Sequence, residues 1–75
     1  MKIQDLRQVL SSATRVQIKV WSNDHNQVIV VFEGSAKRAF PYDHAVIDYL
    51  FLSNANPCTL VIFVQPRGVP TGNRV

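Results

Sequence analysis

The chain of 75 residues holds few side chains that could carry out catalysis or bind a metal. His25 and His44 are far apart in the sequence, and neither has a Cys, Asp or Glu at the spacing of a zinc site. Cys58 has no evident base, and no serine lies in the Gly-x-Ser-x-Gly pattern of a hydrolase. Three glycines are too few for a phosphate-binding loop. The sequence therefore predicts a protein that is not an enzyme, with no catalytic residue, no metal ligand and no cofactor.

The strongest candidates for ligand binding lie in a basic segment in the middle of the chain. Lys37 and Arg38 are adjacent cations, and Tyr42 follows them at the start of a predicted short helix. Free backbone amides, two cations and an aromatic ring together suit an anion or a nucleotide. Arg67, directly after the last predicted strand, is a further candidate. These four residues form the predicted site for an anionic small molecule; alternatively, the two cations are simply solvated loop residues.

A second candidate surface lies on the first predicted strand. Residues 14–21 alternate, so that Arg15, Lys19 and Trp21 share one side of the strand. Two cations beside an aromatic ring suit single-stranded nucleic acid. Alternatively, the aliphatic parts of the Arg15 and Lys19 side chains could pack around a contact that Trp21 makes with another subunit.

Composition places these candidates in one small folded domain. The chain is 47% hydrophobic with a net charge of +3, which argues against disorder. One cysteine permits no internal disulfide, and no apolar run approaches the roughly 20 residues of a membrane span. The first ten residues lack the pattern of a signal peptide. We expect a cytoplasmic protein without membrane contact, with one domain over residues 1–65 and a flexible tail over 66–75.

Hydrophobic periodicity predicts an α+β fold. Residues 1–13 carry a helical apolar stripe, 14–21 alternate as a strand, and 27–33 complete a β-hairpin. After a short helix that begins at Pro41, residues 48–53 and 59–65 form a second hairpin, although residues 43–52 could instead be one amphipathic helix. The prediction is an N-terminal helix on a four-stranded antiparallel sheet made of two hairpins, with a short helix between them.

One helix can cover only one face of such a sheet. We expect Val16, Ile18 and Val20 to pack beneath the helix, with Val28, Val30 and Phe32 as their partners on the second strand. The open face then carries Trp21, Ile29 and Val31, which is too apolar for an ordinary monomer. Burial of apolar surface would stabilise the folded monomer by about 115 kcal/mol. This barely exceeds the conformational entropy cost of ordering the chain, about 110 kcal/mol. The sequence predicts a homodimer or higher oligomer with these three residues at the interface; alternatively, the short helix covers them.

The order of elements resembles a group of short proteins encoded by phages and prophages of Gram-positive bacteria. The resemblance rests on the N-terminal helix, the Phe32-Glu33-Gly34-Ser35-Ala36 segment, the helix at Pro41 and the final hairpin, and covers about residues 1–65. Some small phage proteins of this size are oligomers that sequester the nucleotide signals of bacterial defence systems. The resemblance implies sequestration of an anionic small molecule such as a cyclic nucleotide. Binding of a host protein, through the apolar sheet face or an exposed strand edge, and weak binding of nucleic acid are the alternatives.

Overall fold

A computed structural model of the chain describes residues 1–22, 26–54 and 58–66. Helix α1 (Ile3–Arg7) is followed by strands β1 (Arg15–Ser22) and β2 (Gln27–Ser35). A 3₁₀ helix (Ala36–Tyr42) then leads to β3 (Ile47–Ser53) and β4 (Thr59–Val64). Residues 48–53 therefore lie in a strand, as the two-hairpin interpretation predicts. The predicted turn at 54–57 lies partly, and the tail after Pro66 entirely, outside the described residues.

The four strands form a mixed sheet in the order β2-β1-β4-β3. Each hairpin is antiparallel, but β1 and β4 pair in parallel at the centre of the sheet. The α+β class is confirmed, and the expectation of a purely antiparallel sheet is wrong. The end of β2 and the start of β3 lie at opposite ends of the sheet, because the intervening chain, including the 3₁₀ helix, runs back along its length.

The hydrophobic core lies between the sheet and the two helices, on what we call the inner face. Val16, Ile18 and Val20 of β1 are buried there, as predicted. They are joined by further buried residues from the other elements: Ile3, Ala36, Ala39, Ala45, Ile62 and Val64. Neither helix covers the opposite side, which we call the outer face.

A β-bulge changes which side of β2 faces the core. The pairing shifts by one residue between Ile18, which lies opposite Phe32, and Lys19, which lies opposite Val30. The extra residue reverses the alternation of β2 beyond the bulge, so residues that a regular strand would place on one face lie on the other. Ile29 and Val31 therefore pack against the inner core. The predicted position of these two residues on the open face is wrong, and Val28 and Val30 are exposed instead.

Helix α1 is much shorter than the predicted helix over residues 1–13. Lys2 forms an antiparallel bridge with Val46, which commits the first residues to extended backbone. The carboxylate of Asp5 accepts a hydrogen bond from the backbone N–H of Lys2 at 3.0 Å. Leu6 and Leu10 still pack against the core, so the predicted apolar stripe contributes core contacts both from α1 and from the bend that follows it. In the described part of the chain, no helix is long and apolar enough to span a membrane.

An ion pair ties α1 to the end of the 3₁₀ helix. The guanidinium of Arg7 donates two hydrogen bonds of 2.7 Å to the carboxylate of Asp43. Hydrogen bonding to Arg7, together with the positive charge of Arg7 and a smaller electrostatic contribution from His44, lowers the pKa of Asp43 below its ordinary value of 3.8, although partial desolvation opposes the shift. Because the folded-state pKa is depressed, the pair stabilises the fold above pH 3.8. That stability is lost as the pH falls through the folded-state pKa.

We therefore expect Asp43→Asn to lower the urea midpoint at neutral pH, and the difference from the wild type to shrink at acid pH. Urea unfolding followed by circular dichroism, at neutral pH and at a pH below 3.8, measures this difference. Glu33→Gln is the matched control, because Glu33 and Arg15 form an exposed ion pair that should contribute little. A difference between Asp43→Asn and the wild type that persists unchanged in acid would contradict this account.

Candidate functional site

The 3₁₀ helix separates the predicted anion-binding residues. In a 3₁₀ helix, residues three apart share one side, and Ala36, Ala39 and Tyr42 form the side that faces the core. The Tyr42 hydroxyl donates a hydrogen bond to the backbone oxygen of Val31 at 2.8 Å, and its ring lies 5.7 Å from that of Phe32. Lys37 and Arg38 point away from this side and are exposed. Tyr42 therefore does not join the two cations, and Arg67 lies outside the described residues.

The interior has no space for a nucleotide beneath α1. The cleft between α1 and the sheet has a volume of about 10 Å³ and is lined mainly by apolar side chains, a volume close to that needed for a single water molecule. Within residues 1–22, 26–54 and 58–66, neither Lys37 nor Arg38 forms an ion pair. An anion at these cations would thus be bound at the surface, by two solvated side chains.

Arg15, Lys19 and Trp21 do share the outer face, as the alternation of β1 predicts. Both cations, however, have neighbours on adjacent strands. Arg15 donates to Glu33 at 3.1 Å, and the ammonium of Lys19 lies over the ring of Phe63, 5.7 Å from its centroid. Trp21 is exposed opposite Val28. Of the three predicted interface residues, only Trp21 is therefore on the open surface.

Aromatic rings stack across β3 and β4 on the outer face. The rings of Tyr49 and Phe63 are 4.7 Å apart at an interplanar angle of 10°. Flat rings lying side by side would be farther apart, so these two overlap face to face. Phe51 lies 6.4 Å from Phe63 on the same face. Phe63 is thus contacted by Tyr49 from one neighbouring strand and by Lys19 from the other, and a nucleobase could stack on it only by displacing one of them.

Strand β3 exposes large apolar side chains on both of its faces. Tyr49 is 56% exposed, Leu50 39%, Phe51 47% and Leu52 61%. Tyr49 and Phe51 lie on the outer face, opposite Phe63 and Val61. Leu50 and Leu52 lie on the inner face, opposite Ile62 and Leu60. The cleft-lining residues on the sheet belong to β1 and β4, so α1 lies over the two central strands, and on the inner side of β3 Ile47 packs against the core while Leu50 and Leu52 stay exposed.

The N-terminal residues limit the length of the β3 edge that faces away from β4. At its start, the backbone N–H of Ile47 donates to the oxygen of Met1 at 2.8 Å, next to the bridge between Lys2 and Val46. The N-terminal residues therefore cover the first part of this edge. On the side away from β4, no strand in the described part of the chain lies beside residues 49–53, which we call the open edge.

The other edge of the sheet, β2, is better protected. It carries the bulge, and the hydroxyl of Tyr42 binds the backbone oxygen of Val31. Bulges and covering segments are common means of blocking strand edges. The prediction of a host-protein partner named an exposed strand edge as a possible binding surface but did not place that edge on β3. The signal was present, because Tyr-Leu-Phe-Leu is apolar on both sides of a strand, but the position of β3 at an edge is not visible in the sequence.

Comparison with known proteins finds no matching family, no matching curated protein and no matching solved structure. The resemblance to small phage proteins stays a prediction.

Proposed function

We propose that this chain is a non-enzymatic protein-interaction module that binds an extended protein segment along the open edge of β3. The observation that carries the proposal is the exposure of four successive large apolar residues, 49–52, on an edge strand. An edge strand presents backbone N–H and C=O groups to any strand that comes beside it. Solvation of so apolar an edge is unfavourable, and strand addition removes that cost.

Strand addition suits this edge because it provides both affinity and selectivity. Alternate residues within 49–53 direct their backbone N–H and C=O groups away from β4, and these groups would hydrogen-bond to the added strand, while alternate side chains of that strand would contact the two faces of β3. Tyr49 and Phe51 offer aromatic surface on the outer face, and Leu50 and Leu52 offer aliphatic surface on the inner face. We therefore expect the added segment to be apolar on both sides and to lack proline.

Affinity capture from cells that co-express a tagged and an untagged copy tests the proposal. The tagged chain should retain a stoichiometric protein, whether the untagged copy or another protein. Leu52→Lys should abolish retention by placing a charge within the pairing surface. Val9→Lys is the matched control, because Val9 is also an exposed apolar residue but lies away from β3. No retained protein, or equal retention by both variants, would contradict the proposal.

Sequestration of an anion remains a second candidate because Lys37 and Arg38 are exposed and have no ion-pair partner in the described ranges. It would use a surface that is distinct from the open edge. The double variant Lys37→Ala/Arg38→Ala should therefore still retain the captured protein. Calorimetric titration with cyclic nucleotides tests anion binding. Heat released or absorbed with the wild type but not with the double variant would support it.

A further inference from the structure

We propose that the segment that occupies the open edge is β3 of a second copy of this chain, paired antiparallel about a two-fold axis that passes through Phe51. This inference rests on the proposed function, since it names the partner for the same edge. It follows from the symmetry of the strand, from the length of the open edge and from the stacked rings beside it.

The chemistry of the open edge is self-complementary. Residues 49–53 read aromatic, leucine, aromatic, leucine, serine, with no charged side chain among them. An antiparallel copy therefore places no like charges opposite each other, which would otherwise destabilise the pairing. The same residues can face each other on both sides of the new sheet, as an isologous interface requires.

The geometry of antiparallel pairing limits the register. Directly opposite residues project from the same face of a sheet, so the symmetric pairing of β3 with itself must be centred on a residue and not between two. Centring on Leu50 would place Ser53 of the second copy opposite Ile47, where Met1 and Lys2 already lie. Centring on Leu52 would leave Tyr49 unpaired. Only Phe51 as the centre uses the whole open edge and avoids the N-terminal residues.

In this register the exposed side chains meet partners of their own kind. On the outer face, Phe51 lies opposite Phe51 of the second copy, with each Tyr49 diagonal to the other chain's Phe51. This continues the stack that Phe63 and Tyr49 begin within one chain, and aromatic cross-strand pairs are among the stabilising ones. On the inner face, Leu50 lies opposite Leu52 of the second copy. The product is a continuous eight-stranded sheet.

Sedimentation equilibrium of the purified chain is the first test. Pairing of five residues gives an interface smaller than the roughly 800 Å² per partner of standard complexes, so the measurement should extend to high micromolar concentrations. We expect twice the monomer mass of 8.5 kDa for the wild type and for Val9→Lys. Leu52→Lys should sediment as a monomer while keeping the circular dichroism of the folded chain. Trp21→Lys, on the outer face away from β3, should remain dimeric.

Disulfide trapping then tests the register, with Cys58 replaced by serine in every variant. Phe51→Cys should form a covalent dimer on mild oxidation. Tyr49→Cys alone should not, but a mixture of Tyr49→Cys with Ser53→Cys should, because these two positions lie opposite each other only in the Phe51-centred register. Efficient self-linking of Tyr49→Cys would overturn that register.

The outcomes separate this inference from the proposed function. An 8.5 kDa species at all concentrations would overturn the second copy as partner. If the capture experiment still retained another protein and lost it with Leu52→Lys, the proposed function would stand without it. Dissociation by Trp21→Lys but not by Leu52→Lys would overturn edge pairing and indicate packing of two outer faces.

Discussion

Replacement of Ile18 by alanine should destabilise the fold by about 2–5 kcal/mol, the range for truncating a large aliphatic side chain in a core. Ile18 is 0% exposed. It lies in the central part of the sheet, opposite Phe32 on one side and Ile62 on the other. Neighbours held by strand pairing cannot easily collapse into the space, so the upper part of the range is expected.

A loss of this size should remove a large part of the stability of so small a chain, because total stabilities of domains are only about 5–15 kcal/mol. Urea unfolding followed by circular dichroism gives the free energy of unfolding. Val30→Ala is the control, since Val30 is a neighbouring β-branched residue that is 47% exposed on the outer face, and it should change stability by less than about 1 kcal/mol. Equal losses for the two variants would contradict the assignment of the two faces.

The inward positions of β1 could be predicted because its sequence alternates. Polar residues at 15, 17 and 19 can lie only on the wet side, which places Val16, Ile18 and Val20 inside. Residues 28–32 of β2 are all apolar, so either register satisfies hydrophobic burial and nothing in the sequence reveals a bulge. The assignment of Ile29 and Val31 to the outer face failed for that reason.

The pairing of the two hairpins could not be predicted either. A strand's own residues do not specify which of its edges meets another hairpin, or in which direction. The parallel contact between β1 and β4 depends on the path of the connection that contains the 3₁₀ helix. Because that contact leaves β3 at an edge, the proposed site is a property of topology. The same Tyr-Leu-Phe-Leu residues at the centre of the sheet would be ordinary core.

The role of Tyr42 could not be predicted from the sequence either. Its position after Lys37 and Arg38 predicts a ligand-binding role, but the period of the 3₁₀ helix turns it toward β2. There its hydroxyl binds the Val31 backbone oxygen and its ring contacts Phe32. The structure therefore supports a role in the fold and in the protection of the β2 edge.

We expect Tyr42→Phe to lose about 1 kcal/mol of stability, the usual net value of one hydrogen bond. Tyr42→Ala should lose about 1.5 kcal/mol more, the lower end of the range for burial of a large side chain, because the ring is only partly buried. The alanine variant also uncovers the β2 edge, so a chain with two open edges should form species larger than a dimer at high concentration. Urea unfolding and sedimentation velocity measure these effects, with Tyr42→Phe as the control that keeps the ring in place. If both variants kept wild-type stability and assembly but lost anion binding, Tyr42 would instead be a ligand-binding residue.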